Sequence, residues 1–245
     1  MKPSHHLAGL GILVVLVCMG VSFITNGYAD FDSRIEDGTA ATVILPKKHV
    51  FPFSHRVIIG FGDSITLGYP YVTGSGDGRR VGGYEPKLEA LLRTTGGRWK
   101  VLNYGLEGET TYGGVDRIYS VVAGHNRAYV LLLEGTNDFG WGISYDTTVY
   151  NLGVMIDIAK NAGLTPVIST LTPDSQPNIG NQKNIPNTYN PAIAALAQEK
   201  NVVLCDQFAA LIGNWDSWTD DQLHPNDAGY QIMADTWYLA LVVRP

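Results

Sequence analysis

From Val57 onward the chain alternates between short unbroken apolar runs and longer stretches with apolar residues at helical spacing. The runs are Val57 to Phe61, Lys100 to Tyr104, Ala128 to Glu134, Thr165 to Thr170 and Val202 to Asp206. They are rich in Val, Ile and Leu and too short for helices, which predicts strands buried on both faces. Between them, helices are expected over Tyr84 to Thr94, Thr110 to Ala123, Thr147 to Ala162 and Pro191 to Lys200, with a last one over Asn226 to Val242. In the third, Val149, Leu152, Met155, Ile156 and Ala159 mark one face, and Asn161-Ala162-Gly163 supplies a stop. Strands alternating with helices imply parallel pairing. The expected fold is therefore α/β, a three-layer α/β/α sandwich around a five-stranded parallel sheet. Such sheets bind ligands beyond the carboxyl ends of their strands.

Those ends carry chemistry. The first strand runs into Gly62-Asp63-Ser64, where Gly62 is expected to let the chain turn sharply and lift Ser64 to the top of the sheet. The second leads to Asn103-Tyr104-Gly105-Leu106-Glu107-Gly108, the third to Gly135-Thr136-Asn137-Asp138. After the last come Asp221-Gln222-Leu223-His224-Pro225. A serine hydroxyl is a weak nucleophile and needs a neutral imidazole to take its proton. The imidazole in turn needs a carboxylate to orient it, and the developing oxyanion needs positioned N–H donors. Asp221 lies three residues before His224, so one tight turn can join them. Bland readings stand beside these: Ser64 as a helix N-cap, Asn137 and Asp138 as turn residues, Asp220 as a competitor for the imidazole.

Taken together and in this order, Gly62-Asp63-Ser64, Asn103-x-Gly105-x-x-Gly108, Gly135-x-Asn137-Asp138 and Asp221-x-x-His224 resemble the four diagnostic blocks of the SGNH (GDSL) hydrolases. The resemblance runs from about Val57 to the C-terminus. It implies Ser64 as nucleophile, His224 as general base and then acid, and Asp221 as its orienter. It also implies an oxyanion hole made by the N–H groups of Ser64 and Gly108 and the side-chain amide of Asn137. The implied activity is hydrolysis of small acyl esters through an acyl-enzyme. Carbohydrate O-acetylesterases, lysophospholipases and thioesterases fall within the same resemblance, as do degenerate, non-catalytic binding domains.

The remaining features narrow the picture. Residues 1–29 contain Lys2 near the start, an uncharged apolar stretch from Leu7 to Phe23, and Gly27 and Ala29 before Asp30. That layout predicts a secretory signal peptide and a secreted or periplasmic product, with an uncleaved membrane anchor as the alternative. Residues 30–56 form an N-terminal extension, and 57–245 the hydrolase domain. Cleavage would remove Cys18 and leave Cys205, expected to be a small buried apolar residue. The net charge of −6 argues against nucleic acid as a partner, since phosphate binding needs concentrated Lys and Arg. No run of His, Cys, Asp and Glu has metal-ligand spacing, so no metal or cofactor is expected. The Gly-rich run Thr73 to Gly78 lacks the Lys-Ser/Thr ending of a phosphate loop and is expected to be a mobile loop, with Arg79 or Arg80 near substrate.

Overall fold

The five apolar runs form one all-parallel sheet. Its strands are β1 (Val57–Gly62), β2 (Lys100–Gly105), β3 (Ala128–Leu133), β4 (Thr165–Ser169) and β5 (Val203–Cys205), in the order β2-β1-β3-β4-β5. The structure is a computed structural model and describes residues 15–18, 21–24, 57–79, 82–177 and 180–242. Around the sheet lie α1 (Ser64–Leu67), α2 (Glu85–Thr94), α3 (Thr111–Val122), α4 (Tyr145–Asn161), α5 (Asn190–Glu199), α6 (Gln207–Ile212) and α7 (Asp227–Val242). The expected α/β/α sandwich is what the chain forms.

Alternation along the strands divides the core in two. Ile59, Phe61, Val130, Leu132 and Ile168 face α3, α4 and α5, meeting Ile118, Met155, Ile156 and Ile193. Ile58, Leu131, Leu133 and Val167 face the other way, against Leu88, Leu92, Met233 and Trp237 of α2 and α7. Both faces of the central strands are dry, which is why these strands carry no alternating polar positions.

Local chemistry sets the helix ends. α4 begins at Tyr145, two residues earlier than expected, because Ser144 caps it by accepting the N–H of Thr147. It stops where Gly163 takes φ +76° and donates to the carbonyl of Lys160.

Register then places the functional segments side by side. Gly62 pairs with Gly105 on one flank and Leu133 on the other, so the loops after β1, β2 and β3 leave the sheet at one level. Gly62 does not supply a left-handed turn. It is glycine because a Cβ there would lie 1.8 Å from the carbonyl oxygen of Leu133.

The Gly-rich segment differs from expectation. It is a strap along the free edge of β2, not a mobile loop. The N–H of Gly76 donates to Gly105, that of Gly78 to Asn103, and that of Glu107 to Gly74. Pairing of this kind covers a sheet edge that would otherwise be open. Arg79 is engaged with Asp77 at 2.7 Å, and Arg80 lies outside the described residues.

In the N-terminal unit, Val15–Cys18 and Val21–Ile24 pair as two short antiparallel strands. The rest of residues 1–29, expected to be a signal peptide, and residues 30–56, expected to be an extension, lie outside the described residues. Among the described residues no helix is long and apolar enough to cross a membrane.

Candidate active site

Ser64 opens α1 and does not cap it. The cap is Asp63, whose carboxylate accepts the N–H of Ile65 at 2.9 Å. The helix ends one turn later at Gly68, φ +97°, whose N–H and that of Tyr69 both return to the carbonyl of Ser64. A single turn so closed leaves Ser64 at the first helical position, where the N–H has no intrahelical acceptor. Asn103 ties this turn to β2, donating to the carbonyls of Thr66 and Leu67 and accepting the N–H of Gly105.

The Oγ of Ser64 lies 2.9 Å from Nε2 of His224, although the two are 160 residues apart. The imidazole Nδ1 lies 2.7 Å from Oδ2 of Asp221. The other oxygen of Asp221 accepts the main-chain N–H of His224 at 2.7 Å and of Leu223 at 3.0 Å, so the carboxylate curls the loop around itself. Gln222 takes φ +71° to allow this. Thr219 staples the loop, accepting the N–H of Gln222 and donating to the carbonyl of His224 at 2.7 Å. Partial burial works against the ionised form of Asp221, but the bonds from His224 and Leu223 outweigh it and hold the carboxyl below its ordinary 3.8. An ionised Asp221 requires the proton on Nδ1, which leaves the lone pair of Nε2 facing the serine. Asp220 points elsewhere, toward the amide of Asn226.

The strand register brings the segments that carry the other two expected oxyanion donors, Gly108 and Asn137, off the sheet at the level of Gly62. Gly108 adopts φ +72° just beyond β2. Asn137 follows β3, and its Nδ2 donates one proton to the carbonyl of Glu109 at 2.7 Å. An amide has a second N–H to offer. Asp138 beside it is fully buried and does more than close a turn. It accepts the N–H and hydroxyl of Thr111 and the hydroxyl of Thr148, pinning the starts of α3 and α4 to the loop.

The surroundings include residues that sequence reasoning missed. The ring of Tyr69 packs on the imidazole with centroids 4.4 Å apart, and its carbonyl accepts the hydroxyl of Tyr230 from α7. Arg117 and Glu109 form a largely buried ion pair behind the site. The one available signal was an Arg on the otherwise apolar side of α3. Burial above all, then the charges of Glu109 and Asp138, raises the carboxyl of Asp63 to about 7. Burial likewise holds Glu134 well above the ordinary range. Among the described residues, no three His, Cys, Asp or Glu side chains are grouped to hold a metal ion.

A hydroxyl, an imidazole and a carboxylate in series can run nucleophilic acyl transfer. Residues 61–232 match the model of the GDSL-like lipase/acylhydrolase family. The chain belongs to that family. Membership in this GDSL-like family makes it a carboxylic ester hydrolase. An arylesterase of Vibrio mimicus is 26% identical over 173 residues, covering 70% of this chain and 80% of that protein. A lipolytic G-D-S-L protein of Veillonella parvula is similar in structure, with TM-score 0.58 and 23% identity, covering 74% of this chain and 94% of that one. An acetylxylan esterase of Geobacillus stearothermophilus gives TM-score 0.61 and 20% identity, covering 76% and 94%. The last two are likenesses of fold.

Proposed function

We propose that this hydrolase is an exported serine esterase that cleaves small acyl esters through an acyl-enzyme on Ser64. The observation that carries the reading is the unbroken relay from Ser64 Oγ to His224 Nε2 at 2.9 Å and from His224 Nδ1 to Asp221 at 2.7 Å. As Oγ attacks the acyl carbon, its proton passes to Nε2. The carbonyl oxygen takes the negative charge and is met by the N–H groups of Ser64 and Gly108 and by Nδ2 of Asn137. Collapse of the tetrahedral intermediate breaks the bond to the alcohol oxygen, which leaves with the proton from Nε2. Water then repeats the attack on acyl-Ser64, its proton going to His224, and the acid departs as Oγ recovers a proton.

The test is covalent labelling by a fluorophosphonate probe together with initial rates on nitrophenyl esters from acetyl to palmitoyl. Labelling that disappears in Ser64→Ala, with rates falling as the acyl chain lengthens, is expected. Folded chain that resists the probe is instead a binding domain, and a preference for palmitoyl moves the reading to the lipase or thioesterase type. The exported state rests on the signal-like residues 1–29. A mature N-terminus near Asp30 supports it, and an intact Met1 in the exported protein replaces it with an anchor.

A second reading, carbohydrate O-deacetylation, draws on the turn after Asn137. Phe139 is 39% exposed and Trp141 75% exposed, two and four residues beyond that amide, and the N–H of Trp141 donates to the carbonyl of Asn137. An adjoining cavity of about 470 Å³ includes Phe139, Tyr145, Tyr189, Ser144, Asn184 and Thr188, with neither a carboxylate nor a cation in its lining. Aromatic faces beside uncharged amide and hydroxyl groups suit a neutral sugar better than a charged headgroup. If so, Trp141→Ala raises KM on acetylated xylan while leaving nitrophenyl acetate unaffected. Equal effects on both substrates would refute it.

A further inference from the structure

The guanidinium of Arg117, on α3, is bonded to three segments at once. Nη1 donates to the carbonyl of Tyr104 at 2.9 Å, near the end of β2. Nη2 donates to the carbonyl of Gly62 at 3.3 Å, the last residue of β1 and two before Ser64. Nε donates to Oε1 of Glu109 at 2.7 Å, and Nη2 also meets Oε2 of the same carboxylate. The guanidinium lies over the ring of Phe61, 4.1 Å from its centroid. The Arg117 side chain is 21% exposed and that of Glu109 2%, so little of this pair faces water.

Glu109 immediately follows Gly108, and its carbonyl is the one that holds Nδ2 of Asn137. The fork therefore reaches each prospective oxyanion donor. It reaches Ser64 through Gly62, Gly108 through its neighbour Glu109, and Asn137 through the carbonyl of that same Glu109. We infer that Arg117, with Glu109 as its counter-ion, is the positioning residue that sets the spacing of the oxyanion donors. This rests on the reading of Ser64 as nucleophile. Arg117 acts on the acyl group only through the segments it holds.

The chemistry asks for arginine. Five N–H donors in a rigid plane can serve a bidentate carboxylate and two carbonyls together. A lysine ammonium at the same place is a point charge on a flexible stem and cannot hold that geometry. The oxyanion exists only along the reaction path, so slack in its donors lowers kcat and barely alters substrate binding.

The experiment is steady-state kinetics on nitrophenyl acetate with the full chain and three variants: Arg117→Lys, Arg117→Met, and Arg117→Met combined with Glu109→Gln. Arg117→Met alone strands a buried carboxylate and risks the fold. The double variant removes both charges, and its melting curve reports whether it folds. Donors displaced by roughly an ångström predict a kcat loss of about 10²-fold, with KM within about threefold. Arg117→Lys is expected to recover the melting temperature and not kcat. In a cycle with Asn137→Ala, the combined loss is expected to fall short of the product of the separate losses, since both act on one oxyanion site.

Folded variants that keep kcat within twofold overturn the inference. So does Arg117→Lys with full kcat, or a loss carried in KM, or losses that multiply strictly. A wild-type chain that no fluorophosphonate labels at Ser64 sinks the underlying reading instead, and the two failures are told apart on the same samples.

Discussion

The side-chain amide of Asn137 donates to the main-chain carbonyl of Glu109 across 2.7 Å, and Glu109 is the residue next to Gly108. The two proposed oxyanion donors Gly108 and Asn137, which follow different strands, are thus joined through one main-chain carbonyl. Removing the amide costs a donor and also frees the loop that holds its neighbour. Asn137→Ala is expected to lower kcat by roughly 10²- to 10³-fold with little change in KM, the range found when one oxyanion donor is deleted. Single-turnover kinetics on a nitrophenyl ester will check it; a loss confined to KM would contradict this account.

Asp221 and Asp220 separate the orienting carboxylate from its neighbour. Asp221 touches both the ring and the main chain of His224, whereas Asp220 faces Asn226. Asp221→Asn favours the wrong tautomer and should reduce kcat by between about 10² and 10⁴. Asp220→Asn should leave kcat within twofold. Similar losses from the two changes would mean that the ring turns toward Asp220 in solution.

Asp63 supplies a pH dependence of stability. Its carboxyl titrates near 7 when folded against an ordinary 3.8, mainly because burial disfavours the charge. The folded chain then holds a proton that the unfolded chain has released between those values. Stability from this group is fully present below about 4, falls as pH rises, and is lost once pH passes about 7. The whole effect is on the order of 4 kcal/mol at most. Asp63→Asn keeps an oxygen for capping and cannot ionise, so its melting temperature should decline less than the wild type's between pH 4.5 and 7.5. Parallel slopes for the two chains would rule out Asp63 as the source.

Two glycines of one block should respond differently. A Cβ on Gly105 would fall 2.1 Å from the main-chain nitrogen of Leu67, whereas one on Gly108 would meet nothing within 4 Å. Gly105→Ala must push α1 off β2 and should abolish folded protein in expression and melting assays. Gly108→Ala pays only for its φ of +72°, roughly 1–2 kcal/mol, and should fold with reduced kcat. A Gly105→Ala chain that melts like wild type would contradict the packing described here.

The sheet, the order of its flanking helices and the family were legible because each rests on a local pattern. A strand buried on both faces must be continuously apolar, an amphipathic helix must repeat every three to four residues, and Asp221 and His224 are three residues apart. What adjacency along the chain does not encode was missed. The strap at Gly74 to Gly78 looked mobile from composition, yet its main-chain groups find partners on β2 and on the loop that follows it. Gly62 looked like a turn former, and its need for a missing Cβ comes from Leu133, 71 residues later.

By itself, then, the order of residues determined which groups are available for acyl transfer and which segments carry them. Tertiary structure decided their spacing: parallel register levels the ends of β1, β2 and β3, and the loop at Thr219 swings an imidazole to within 2.9 Å of a hydroxyl 160 positions away. It also decided that Arg117 meets Gly62, Tyr104 and Glu109 together. The physical reason is that a nucleophile's reactivity depends on distances of a few tenths of an ångström, and only the packed core holds distant segments to that tolerance.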